Sequence, residues 1–111
     1  MDAEDLYTML LQAWDAGVSL VHNWSNNHLG GQAWVVREWC EEHEIDWGSP
    51  MGYPVQESQR ALVDAGRATR WRGPGPGRYG RVMFSLSEAE SPQAHAAAAR
   101  VAAEHGFAEE A

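Results

Sequence analysis

The chain has 111 residues, 44% of them hydrophobic and 22% charged, and a formal net charge of −8. This is one domain's length of ordinary globular composition, enough to bury one core. A single cysteine excludes an internal disulfide, no apolar run nears the ~20 residues of a membrane span, and the Met-Asp-Ala-Glu-Asp start is the opposite of a basic signal peptide, so a cytoplasmic protein is expected.

In chain order, residues 3–16 read as an amphipathic helix. Leu6, Met9, Leu10, Ala13 and Trp14 share one face, Asp2 can cap the start, and Gly17 ends it. Val18 to His22 suits a short strand, and Asn23 to Gly31 a polar loop. A second helix is expected over about 32–44, burying Val35, Val36, Trp39, Cys40 and His43. Trp34 falls off that stripe and should cover an edge of the core. Asp46 to Tyr53 is a loop. Pro54 opens a third helix to about Ala65, with Val55, Leu62 and Val63 apolar, Ser58 or Gln59 between them, and Gly66 as the stop.

Ala68–Arg72 and Tyr79–Leu86 then read as two strands. In the second, Val82, Phe84 and Leu86 alternate with Arg81, Met83 and Ser85. The Gly-Pro-Gly-Pro-Gly run between the strands must be a hairpin tip, because proline cannot donate to a ladder. Ser91-Pro92 opens a fourth, alanine-rich helix ending before Gly106. Alanine favours helix but buries little, so this helix needs a close partner. The expected partner is the first helix, with Phe107 as an anchor and a homodimer formed through the fourth helix.

Charge is segregated. All eight basic residues are arginine. Between Arg60 and Arg81 lie six of them and one acid, Asp64, giving +5; the other two arginines and fifteen acids leave −13. That arrangement is a field with a direction.

The stretch Gln56-Glu57-Ser58-Gln59-Arg60-Ala61-Leu62-Val63-Asp64-Ala65-Gly66-Arg67-Ala68-Thr69-Arg70 resembles the recognition helix, glycine turn and first wing strand of the winged helix-turn-helix family of DNA-binding domains. Tyr79 to Ser87, with Phe84, Leu86 and Ser87, resembles the second wing strand. The likeness covers about residues 54–88; the first half fits by element order, and the segment between the second and third helices is long for the family. The resemblance implies an α+β winged helix-turn-helix domain over residues 1–111, with a three-helix core, a two-stranded wing and an extra C-terminal helix. It implies a non-enzymatic transcriptional regulator or mobile-element accessory factor that binds double-stranded DNA.

The residue chemistry fits that implication. Gln56, Ser58 and Gln59 are of the type that reads base edges from a helix in the major groove. Arg60, Arg67, Arg70, Arg72, Arg78 and Arg81 suit phosphates or a minor groove. Three to five such contacts give a log–log salt dependence of about −3 to −5. The competing reading of the arginines is pairing with the protein's own acids. The competing function is a docking module, or an acidic nucleic-acid mimic, whose −13 remainder takes a basic protein partner.

Other motifs carry less. Gly75-x-Gly77-x-x-Gly80 matches a dinucleotide fingerprint in letters only, since a strand and not a helix follows it. His22, His28, Cys40 and His43 match no zinc spacing, and Cys40 and His43 fall on the expected core stripe. No nucleophile–base–orienter set is visible. Glu41, Glu42 and Glu44 read as a solvated helix end. No metal or cofactor is expected.

Overall fold

The computed structural model describes residues 1–22, 29–47, 53–73 and 82–110, the side chains of 53–55 excepted. Its elements are helices α1 (Ala3–Asp15), α2 (Val36–Glu42), α3 (Tyr53–Asp64) and α4 (Pro92–Glu104), strands β1 (Leu20–His22), β2 (Ala33–Val35), β3 (Ala68–Arg72), β4 (Val82–Leu86) and β5 (Ala108–Glu109), and a 3₁₀ turn at Gly30–Gln32. The chain is therefore mixed α+β. Its five strands form one sheet in the order β2-β1-β4-β3-β5. β1 and β2 run parallel, and every other neighbouring pair is antiparallel.

Local chemistry sets the helix ends. The Asp2 carboxylate accepts from the Asp5 N–H at 2.8 Å, and Asp5 accepts in return from the Asp2 N–H at 3.4 Å, a reciprocal cap at the start of α1. Ser91 caps α4 by accepting from the Ala94 N–H at 3.1 Å, with Pro92 in the first turn. All four helices close in the same way: the residue in left-handed conformation donates back to one carbonyl, and the next residue donates to another. Gly17, Gly66 and Gly106 hold that conformation after α1, α3 and α4. After α2 it falls to Glu44, at φ 55°, which a side chain adopts only at a cost.

Side chains alternate across the sheet and divide the core in two. On one face Val21, Ala68, Phe84 and Leu86 meet Leu6, Met9, Leu10 and Ala13 of α1, Val36, Trp39 and Cys40 of α2, and Leu62 of α3. On the other, Leu20, Ala33, Trp71 and Met83 meet Ala98 and Ala102 of α4 and Phe107 beyond it. The stripe foreseen for α1 is the buried one. Cys40 is fully buried, and that burial pushes its thiol pKa up, which disfavours the reactive thiolate.

Three expectations are corrected. The second helix starts at Val36 and not near Gln32, because Ala33–Val35 pair in register with Leu20–His22 as an added strand. α4 seats mainly on β4 and β5 rather than on α1; its buried Ala98 and Ala102 let the helix backbone come close to the sheet, and only Ala94, at its start, joins the cluster that holds the α1 side chains. His43 is exposed, its ring stacked on Trp39 at 4.1 Å between centroids. Tyr79, Arg81 and the Gly-Pro tip lie outside the described residues. No described helix is long and apolar enough to cross a membrane.

Candidate nucleic-acid interface

α3 packs on α1 through Leu62, which is 2% exposed. Residues three and four positions earlier lie on the same helical face. Those are Gln59 and Ser58, and both are buried. The Ser58 hydroxyl donates to the Met1 carbonyl at 2.8 Å and so fixes the start of the chain against α3. The expectation that Ser58 and Gln59 reach base edges is therefore corrected: they face the interior. The solvent side of α3 presents Gln56, Glu57, Arg60, Ala61 and Asp64. Of the residues foreseen to touch DNA, Gln56 and Arg60 are thus displayed together, one turn apart.

The arginines divide into two groups. Arg67, just past the Gly66 turn, donates to Glu4 of α1 at 2.8 Å and stands 3.5 Å from Glu90. Its guanidinium lies 3.8 Å from the centroid of the Tyr7 ring. The Tyr7 hydroxyl donates to Glu90 at 2.7 Å, and this bond, with burial, raises the Tyr7 pKa. The hydrogen bond to Glu4 holds the Arg67 pKa above its ordinary value. Arg67 thereby ties α1, the start of β3 and the turn before α4 together.

Arg70 and Arg72 both lie near Glu110, at 2.9 and 3.8 Å. The Glu110 N–H also donates to the Arg70 carbonyl at 2.9 Å, extending β5 along β3. These three arginines neutralise the protein's own acids. Arg60, in contrast, makes no ion pair among the described residues. Arg78 and Arg81 lie outside the described residues.

Between them Trp71 anchors β3. It is 4% exposed, and its indole N–H donates to the Ser85 hydroxyl at 2.9 Å.

A second feature went unseen in the sequence. Where β2 runs into α2, an open groove of about 380 Å³ is bordered by Gly30, Gly31, Trp34, Glu38, Trp39 and Glu42. The signals were present: Trp34 off the helical stripe, and Glu38 and Glu42 four residues apart on one helix. They gain meaning only once Ala33–Val35 is a strand. Among the described residues no three His, Cys, Asp or Glu side chains come together as metal ligands.

No protein-family model matches the chain, and neither a curated protein nor a solved structure matches it.

Proposed function

We propose that this chain is a winged-helix, non-enzymatic cytoplasmic protein that binds duplex DNA, with α3 in the major groove and the β3–β4 hairpin as the wing. Support comes from the order α1–β1–β2–α2–α3–β3–β4 and from the hydrogen bonding of β1 to β4, which joins the wing strands to the helical half of the domain. The observation that carries the reading is the outer face of α3. It presents Gln56 and Arg60 to solvent directly before the hairpin whose connecting segment holds Arg78 and Arg81.

The contact set is smaller than the sequence suggests. Gln56 is the base reader, and Arg60, Arg78 and Arg81 are the phosphate contacts. Arg67, Arg70 and Arg72 position the wing from within. A homodimer through α4 would use the outer side of that helix, at Ala96, Arg100 and Ala103, since the inner alanines are engaged by the sheet.

Selection of bound duplexes from a random pool, followed by mobility shifts, tests this reading. Gln56→Ala should cost ~1–3 kcal/mol on the selected site and little on random DNA. Arg60→Ala should weaken all sequences alike and flatten the salt slope by ~1. Enrichment of no sequence and no shift at low salt would instead favour the docking-module reading. The internal pairing of Arg67, Arg70 and Arg72 is the specific observation on that side.

A further inference from the structure

The groove at the β2–α2 junction belongs to neither the wing nor α3, and its chemistry is the reverse of a DNA contact. Two carboxylates stand on its rim, so phosphates are repelled from it. We propose that this groove binds an arginine side chain presented by a basic segment of a protein partner. The inference stands independently of DNA binding by α3.

Four observations lead there. First, Trp34 and Trp39 both border the groove: the half-buried Trp34 is the indole available to a cation, and indole is the best aromatic surface for one, while Trp39, 5% exposed, is the groove's fixed wall. Trp39 is already held: its indole N–H donates to Gln12 at 2.9 Å, and the His43 ring stacks on it. A ligand arriving there need not order that side chain first, which removes one of the costs of binding.

Second, Glu38 and Glu42 are one helical turn apart. Among the described residues neither pairs with a cation, whereas their neighbour Glu41 is engaged by Arg37 at 3.0 Å. Like charges at this spacing destabilise a helix slightly, and a cation seated between them relieves the repulsion. Third, the protein uses the same chemistry within itself. Arg67 lies over Tyr7 and Arg37 over Trp47, at 3.8 and 5.4 Å from the ring centroids.

Fourth, the size and mouth suit a side chain. About 380 Å³ is near the small end of ligand pockets, which run roughly from 300 to 1,000 Å³. Among the described residues, a side-chain carbon added at Gly30 or Gly31 would meet nothing within 4 Å, which leaves room for a partner's backbone on that side. The planar guanidinium can lie flat on an indole while its edge donates two hydrogen bonds to one carboxylate; an ammonium group cannot do both. The −13 carried outside residues 60–81 draws a basic segment in.

The test uses the full chain and follows its six indole N–H resonances by NMR. The probes are the capped peptide Ac-Gly-Ser-Arg-Ser-Gly-NH₂ and its lysine and citrulline counterparts. The arginine peptide should shift the Trp34 and Trp39 signals saturably. Citrulline, which keeps the shape and loses the charge, should bind at least ~10-fold more weakly, and lysine should fall between. The double variant Glu38→Gln/Glu42→Gln is at the surface and should fold normally. It should weaken the arginine peptide at least ~10-fold, while a control with the same charge change, Glu88→Gln/Glu104→Gln, stays within about twofold. Equal affinity for the citrulline peptide, shifts not confined to Trp34 and Trp39, or equal loss in the control would overturn the proposal. Duplex affinity of Glu38→Gln/Glu42→Gln, measured alongside, should match that of the unchanged chain. The two proposals can therefore fail separately.

Discussion

The edge formed by β3 and β5 and the groove between β2 and α2 both carry charge and tryptophan, but they use them in opposite ways. At the edge, Arg67, Arg70 and Arg72 each meet a carboxylate, and Trp71 is buried with its N–H bonded. At the groove, Glu38 and Glu42 meet no cation among the described residues, and Trp34 is half-buried. The edge is a structural joint and the groove an available surface. Net charge and clustering do not separate the two; partners do.

Tryptophan removal should separate them most strongly. Trp71→Ala opens a cavity on the α4 face and removes the donor to the Ser85 hydroxyl, which keeps only its bond to the Leu86 carbonyl, and should cost about 3–5 kcal/mol. Trp34→Ala should cost only about 1 kcal/mol, as for a half-exposed residue. Urea unfolding of both variants checks this, and similar costs would break the distinction.

Gly73 tests the edge from another side. A side-chain carbon there would overlap the Phe107 ring, which covers the end of β3. Gly73→Ala should destabilise by about 1–3 kcal/mol through overpacking. Recovery in the double variant Gly73→Ala/Phe107→Leu, again by urea unfolding, would confirm the contact as the cause.

On the groove side, Glu44 closes α2 in the left-handed region. Glu44→Gly should raise stability by about 0.5–1 kcal/mol, because strain relieved in the fold exceeds the entropy gained by the unfolded chain. Thermal unfolding reads it, and a lowered midpoint would contradict it. Glu110→Gln should have the smallest effect on stability, under about 1 kcal/mol, since its ion pairs are partly exposed. It frees Arg70 and Arg72, however, so the salt dependence of duplex binding should steepen by ~1–2.

Much of the domain was legible because its signals are local. The α1 stripe, the stops at Gly17, Gly66 and Gly106, and the bounds of β3 all follow from neighbours within a few residues. The burial of Ser58 and Gln59 was only half legible: they fall between the apolar residues of the third helix, but their short polar side chains read equally well as base contacts. What was hidden depends on partners far along the chain. β2 is three residues long, and its pairing with β1 leaves no mark except the misplaced Trp34. β5 is two residues long. An alanine helix shows that it is a helix without showing which surface it covers. Arg67 finds its acids at positions 4 and 90, Arg70 and Arg72 of β3 theirs at 110, and no spacing rule connects those positions.

The salt dependence of duplex affinity tests the account most directly, because it counts phosphate contacts. If Arg60, Arg78 and Arg81 touch DNA while Arg67, Arg70 and Arg72 hold the protein together, the log–log slope should lie at about −2 to −3. Triple replacement of those last three by alanine should then leave the slope unchanged in any fraction that remains folded. A slope near −5 would mean that the paired arginines leave their carboxylates for phosphate. No duplex binding at low salt would contradict the DNA reading and leave the docking module in its place.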